Sequence, residues 1–167
     1  SKASHNGIWA EFGVWRAASI NYISSRTHKT VYGFDSFEGL PDDWFPGDNF
    51  CTKGTFTQSG RLPKVNKNVI LLKGLFEETL PKFLDTKKEV CSLIHIDCDL
   101  YASANFILQA LEEKIVSGTM IMFDEYWYCY KWREHEYKAF QEFIERTGHK
   151  YEYVAHTDRG KAAVKIL

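Results

Sequence analysis

The sequence predicts an α/β fold, a mostly parallel seven-stranded sheet in a three-layer sandwich, with one antiparallel strand supplied by a C-terminal hairpin. Three observations predict it. Short apolar runs rich in β-branched and aromatic residues alternate with stretches of helical period. Four of the first five runs end in or beside carboxylates, which are poor strand formers. The last two runs are joined by Asp158-Arg159-Gly160, a hairpin turn signal.

The first strand is Gly7-Ile8-Trp9-Ala10-Glu11-Phe12-Gly13, and a helix follows over about Arg16–Ser25. The second strand is Thr30-Val31-Tyr32-Gly33-Phe34, β-branched and aromatic. From Ser36 to Asn68 the breakers Gly39, Pro41, Pro46, Gly47, Gly54, Gly60 and Pro63 read as loop. A loop that long is either a functional lid or binding segment, or a mobile surface insertion. The third strand is Val69-Ile70-Leu71-Leu72, and a short helix covers Phe76–Leu84, with Pro81 suggesting a helix start inside it. The fourth strand, Ser92-Leu93-Ile94-His95-Ile96, stops at Asp97. A helix over about Ala102–Ile115 stacks Ile107, Leu111 and Ile115 on one face, and Ser117-Gly118 ends it. The fifth strand, Met120-Ile121-Met122-Phe123, stops at Asp124. A helix over about Glu134–Thr147 carries Phe140, Phe143 and Ile144 and is capped by Gly148. Strands at Tyr151–His156 and Ala162–Ile166 close the chain. The alternation implies a Rossmann-like sheet covered on both faces.

With 167 residues, the chain reads as one domain over residues 1–167, with the long loop at about 36–68. A net charge of −1 gives no electrostatic reason to expect nucleic acid or an anionic membrane as partner. No apolar run approaches the length of a membrane span, and the polar start Ser1–Asn6 has no signal-peptide core. It also lacks an initial Met, as a processed or trimmed chain would. Cys51, Cys91, Cys98 and Cys129 form no C-x-x-C pair and no zinc-site spacing, so they read as free thiols of a reducing cytoplasm. The expected location is cytoplasmic.

In open α/β sheets, ligands bind beyond the carboxyl ends of the strands. The first turn, Gly13 to Ser19, is built of small residues, with Ala17 and Ala18 where a nucleotide-binding loop more often has Gly. Asp35 lies about 20 positions after Gly13, where a carboxylate accepts ribose hydroxyls of an adenosine cofactor. Glu11 repels a pyrophosphate and suits a cation, which favours S-adenosylmethionine over a nicotinamide dinucleotide. It reads equally as a solvated strand-end residue. Asp97, Asp99, Asp124 and Glu125 crowd two strand ends with like charge, which a divalent cation or a raised pKa would relieve. The other reading makes them solvated helix caps. His95, opposite Ile94 and Ile96 along its strand, reads as a satisfied core histidine, with a general base as the alternative. The stretch Tyr126-Trp127-Tyr128-Cys129-Tyr130-Lys131-Trp132 is either an aromatic wall over an acceptor or a packing or dimer surface.

Several ordered segments resemble one family. Tyr32-Gly33-Phe34-Asp35-Ser36-Phe37-Glu38-Gly39-Leu40-Pro41 resembles a signature of the macrocin O-methyltransferase (TylF/MycF) family, as do His95-Ile96-Asp97-Cys98-Asp99-Leu100-Tyr101-Ala102-Ser103 and Lys73 to Pro81. Phe123-Asp124-Glu125-Tyr126 stands where that family usually has D-D-Y. The likeness runs from about Glu11 to Phe143. It implies methyl transfer from S-adenosylmethionine to a hydroxyl of a small molecule, often a sugar of a natural product. By the resemblance, Glu11, Gly13 and Ser19 line the methionine end, Asp35 holds the ribose, and Ser36, Gly74, Phe76 and Asp97 complete the cofactor contacts. Asp97, Asp99, Asp124 and Glu125 would supply a site for Mg²⁺ or another divalent cation. Asp99 and Asp97 would be the catalytic residues, with Asp99 the candidate base. Three departures stand out: Ala17-Ala18 for the usual Gly pair, Glu125 for Asp, and no counterpart of the family's N-terminal helical segment, which helps close the site and pair subunits. A homo-oligomer is compatible with this reading. The rivals are a non-catalytic or truncated cofactor-binding module and a nicotinamide-dependent oxidoreductase.

Overall fold

Seven strands build one sheet in the order β3-β2-β1-β4-β5-β7-β6, in a computed structural model that describes residues 6–45, 50–127 and 129–167. Pro46, Gly47 and Tyr128, singled out above, lie outside the described residues, as do residues 1–5. The strands are β1 (Ile8–Phe12), β2 (Val31–Asp35), β3 (Val69–Lys73), β4 (Cys91–Ile96), β5 (Met120–Phe123), β6 (Tyr151–His156) and β7 (Ala162–Ile166). The first five pair in parallel, and β7 runs antiparallel to both β5 and β6, as the closing hairpin requires. β1 and β4 are neighbours inside the sheet, and the strand order reverses between them, with β2 and β3 beyond β1 on one side and β5 beyond β4 on the other. That reversal opens a crevice above the ends of β1 and β4.

The alternation along β1 divides the core. Ile8, Ala10 and Phe12 face one layer, where they meet Leu80, Phe83, Ile107, Leu108, Phe140 and Phe143. Trp9 faces the other, with Ile20, Ile23, Val31 and Val69. Helices α2 (Phe76–Asp85), α3 (Tyr101–Ala110) and α4 (Glu136–Thr147) cover the first face, and α1 (Ala18–Ser25) covers the second. Both faces thus carry helices, three against one among the described residues. None of these helices is long and apolar enough to cross a membrane.

Several boundaries differ from the sequence expectation. α1 starts at Ala18 and not near Arg16, because Trp15 and Ala17 hold left-handed backbone (φ 46° and 64°). α2 runs through Pro81 instead of starting there; Leu75 is its N-cap, and Leu80 and Phe83 are buried on either side of the proline. α3 stops at Ala110 and tightens into a 3₁₀ turn at Glu112–Lys114, yet Ile107, Leu111 and Ile115 are all buried as the stripe demands. α4 starts at Glu136 after a 3₁₀ turn at Trp132–Glu134.

The described parts of the 36–68 segment are folded. The Leu40 N–H donates to the Thr55 carbonyl and the Gly54 N–H to the Leu40 carbonyl, both at 2.9 Å, and Trp44 and Cys51 exchange backbone hydrogen bonds at 2.7 and 2.8 Å. Phe37, Leu40 and Trp44 are buried.

Candidate functional site

The strand ends enclose a cavity of about 420 Å³, a size in the range of small-molecule sites. Gly13, Ser19, Asp35, Ser36, Gly74 and Phe76 line it. So do Asp97, Asp99, Asp124 and Glu125. Ten of the eleven residues that the sequence nominates therefore share one cavity. The eleventh, Glu11, is fully buried beneath it and is not among the lining residues. Its Oε1 accepts the Ser19 hydroxyl (2.9 Å), so Ser19 stands between Glu11 and the cavity.

Asp35 organises the first turn. Its Oδ2 accepts the Val14 and Trp15 N–H groups at 2.8 and 2.7 Å, and its Oδ1 accepts the Phe37 N–H at 2.6 Å. A carboxylate has roughly four lone-pair positions, so one, on Oδ1, is left for a ligand hydroxyl. The expected grip on both ribose hydroxyls narrows to one while the turn keeps these bonds. Gly13 has φ +90°, and a Cβ there would lie 1.7 Å from the Asp97 carbonyl oxygen.

The acids that line the cavity form a charge network. His95, buried as expected of a core histidine, donates from Nδ1 to Glu11 Oε2 at 3.0 Å. Its Nε2 lies 3.7 Å from Asp124 Oδ1. The Lys161 ammonium donates to that same oxygen. Burial disfavours the imidazolium, but the nearby Asp124 carboxylate and the hydrogen bond to Glu11 outweigh it and raise His95 to about 10. Asp124 is likewise disfavoured by burial, yet His95 and Lys161 hold it down at about 2. The other acids lack such partners. Burial, then the charge of Asp124, pushes Asp97 up to about 7. Burial, then Asp97, pushes Asp99 to about 7. Burial and Glu136 push Glu125 up to about 11. Glu136 itself, fully buried, lies well above the usual carboxylate range, with burial the main cause. Asp99 also holds left-handed backbone (φ 63°), a strain of about 1–3 kcal/mol that tends to collect at functional sites.

These donors fit a hard cation. Ligand atoms of His95, Asp97 and Asp124 lie within 4.8 Å of one another. Glu125 Oε2 and Glu136 Oε1 are buried with no hydrogen-bond partner among the described residues. Asp99 and Glu125 are outside that closest group, although they line the same cavity. His95 Nδ1 is engaged with Glu11, so Nε2 is the ring nitrogen that faces Asp124.

Sequence reasoning missed Glu136 and Lys161. Glu136 lies on the buried stripe of α4 with Ala139, Phe140 and Phe143; an acid at an apolar position of a helical period is the signal. The Glu136 Oε2 accepts the Glu125 N–H at 3.1 Å and so orients that segment. Lys161 directly follows the hairpin turn that the sequence does show. In the aromatic stretch after β5, the Tyr126 ring is buried against Phe123 and its hydroxyl pairs with that of Tyr153 at 2.8 Å, whereas Tyr130 is exposed. The aromatic lining of the cavity comes instead from Trp15, Trp44, Phe56 and Phe76. The four cysteines are free thiols, with Cys91 and Cys98 buried.

The shifts fix a pH dependence of stability for the metal-free protein. Between pH 5 and 8, Asp97, Asp99, Glu125 and Glu136 hold more protons folded than unfolded, and above about 6.5 so does His95. Asp124 is ionised in both states over this window. Excess protons on the folded state mean that stability falls as pH rises, by about 1.4 kcal/mol per pH unit for each proton. Urea unfolding in chelator is expected to give a higher midpoint at pH 6 than at pH 8. A flat or rising profile would contradict a protonated cluster.

Residues 3–149 match the profile of the family described as macrocin-O-methyltransferase (TylF). The chain is 29% identical over 145 residues to demethyldecarbamoylnovobiocin O-methyltransferase of Streptomyces niveus. That match takes in 74% of this chain and 54% of the relative, so the chain spans about half the length of the curated relative it matches. Among solved structures, CalS11, a calicheamicin methyltransferase, superposes with a TM-score of 0.74 at 20% identity, over 96% of this chain and 72% of that one. An apo structure of CalS11, described as a TDP-rhamnose 3′-O-methyltransferase, superposes at 0.66 with 19% identity over the same shares. At these identities the superpositions establish the fold.

Proposed function

The chain belongs to the macrocin-O-methyltransferase (TylF) family, and on that premise we propose that it transfers a methyl group from S-adenosylmethionine to a hydroxyl of a small molecule, such as a sugar moiety of a natural product. The observation that carries this reading is the meeting of two kinds of group in one cavity. Gly13 and Asp35 offer close backbone approach and a hydroxyl acceptor, and four acids line the same cavity.

In this reading Asp35 Oδ1 takes a ribose hydroxyl. Ser19, with Glu11 behind it, meets the ammonium end of the cofactor. Glu11, buried behind Ser19, favours a cationic ligand and opposes a pyrophosphate, which sets the nicotinamide alternative aside. Asp99 accepts the proton of the acceptor hydroxyl. The oxygen attacks the methyl carbon in line, the carbon–sulfur bond breaks, and a neutral thioether leaves with Asp99 protonated. Asp97, Asp124 and Glu125 would hold Mg²⁺ or another divalent ion, whose charge would lower the pKa of the hydroxyl and orient it. Residues 1–167 act here as a single cofactor-binding unit.

A non-catalytic module, in which Gly13 and Asp35 hold the cofactor but no carboxylate takes a proton from an acceptor, is the second reading, and the burial that pushes Asp97, Asp99 and Glu125 up toward their protonated forms favours it. An assay with methyl-labelled S-adenosylmethionine separates the two. TDP-rhamnose and demethyldecarbamoylnovobiocin are the first acceptors to try, since relatives are named for them. The proposal predicts label on the acceptor, an equal yield of S-adenosylhomocysteine, and a lower rate in chelator. Cofactor binding with no transfer to a broad panel of sugar acceptors would favour the module.

A further inference from the structure

We propose that Lys161 is a tethered cation that competes with a divalent metal ion for Asp124. The inference rests on the metal-assisted reading above. The sheet register creates the pair: Phe123 of β5 is opposite Ala162 of β7, so Asp124 and Lys161 are the next positions out on the same antiparallel ladder. Opposite charges facing each other across such a ladder attract.

The backbone of Lys161 is pinned in place. Thr157 N–H donates to the Lys161 carbonyl at 3.0 Å, Lys161 N–H donates to Thr157 Oγ1 at 3.3 Å, and Trp127 N–H donates to the neighbouring Gly160 carbonyl at 3.1 Å. From this anchor the ammonium reaches into the cavity and donates to Asp124 Oδ1. His95 Nε2 approaches the same oxygen from the buried side. One carboxylate oxygen thus lies between the Lys161 ammonium and the His95 ring, while Glu125 Oε2 and the fully buried Glu136 Oε1 have no hydrogen-bond partner among the described residues. A metal ion that takes Asp124 as ligand has to displace the ammonium or accept its repulsion. His95 is enclosed and cannot leave. Lys161 can: its side chain is 49% exposed against 19% for Asp124, so the ammonium has water to withdraw into and the carboxylate does not. Lys161 therefore holds the acid cluster together without metal and yields when metal enters.

Manganese binding to the full chain tests this, followed by the loss of the free Mn²⁺ resonance, in the wild type, Lys161→Met and Lys161→Arg. Methionine keeps the length of the stem and removes the charge, so Lys161→Met is expected to bind Mn²⁺ about tenfold tighter. Lys161→Arg, which keeps the charge, should stay within about threefold of wild type. In chelator, Lys161→Met should melt below wild type, and Mn²⁺ should raise its melting temperature by more than it raises that of wild type. Binding by the wild type that is unchanged or weaker in Lys161→Met overturns the role of Lys161 alone. No Mn²⁺ binding by any form at millimolar concentration overturns the metal-assisted reading, and this inference with it.

Discussion

Replacing Gly13 by Ala is expected to abolish S-adenosylhomocysteine binding and to destabilise the protein by about 4 kcal/mol or more, at the far end of the range for single substitutions. The new Cβ would lie 1.7 Å from the Asp97 carbonyl oxygen and 2.7 Å from its carbon. Those are backbone atoms, and neither side has room to yield. The Asp97 N–H donates to the Phe12 carbonyl and the Gly13 N–H to the Phe34 carbonyl, both at 2.9 Å, so the ends of β1, β2 and β4 are tied together at this point. The positive φ adds a penalty for any L side chain. For a chain of this size, 4 kcal/mol corresponds to a fall of roughly 8–16 °C in Tm. Thermal unfolding and ligand titration of the variant check both halves. A variant with wild-type Tm and affinity would contradict the close approach of β1 and β4.

Asp99→Asn is expected to lower kcat by about 10²- to 10⁴-fold, the usual contribution of a general base, while cofactor affinity stays within about threefold. Asparagine has the same shape and tolerates left-handed backbone, so the φ of 63° is no obstacle to folding. What it removes is a proton acceptor among the acids that line the cavity, and it leaves Asp35 and its turn unchanged. Steady-state kinetics with the methyl-labelled donor, beside a calorimetric titration, separate chemistry from binding. An unchanged kcat would remove Asp99 from the reaction. A parallel loss of cofactor affinity would make it a binding residue.

Much of this architecture was legible because local and global signals agreed. The carboxylates at strand ends were informative because Asp and Glu fit poorly in a pleated core. Asp35, Asp97 and Asp124 do follow or close their strands at the cavity. The Ile107, Leu111 and Ile115 stripe survived even though the helix beneath it changes pitch, because burial and not hydrogen-bond type sets the period. Pro81 misled because its local preference is for a helix start. Burial of Leu80 and Phe83, with Phe76 edge-on to Phe12 at 5.6 Å, carries the helix across it. Trp15 and Ala17 misled in the opposite sense: nothing in their residue types announces left-handed backbone, which Asp35 secures through the Val14 and Trp15 amides from the next strand. Lys161 carries no local signal of its role, and Glu136 only that of an acid on an apolar helix stripe, which does not say what it faces. One reaches the acids through strand register and the other through a helix face, and both depend on which elements become neighbours.

The central claim is that the cavity binds S-adenosylmethionine through Asp35. Calorimetric titration of the folded protein with S-adenosylhomocysteine, in wild type and Asp35→Ala, with and without Mg²⁺, tests it most directly. The predicted result is micromolar, one-to-one binding by the wild type, weakened at least about tenfold in Asp35→Ala through loss of a charged hydrogen-bond acceptor. No heat from a folded wild type, or equal affinity in the two proteins, would contradict it.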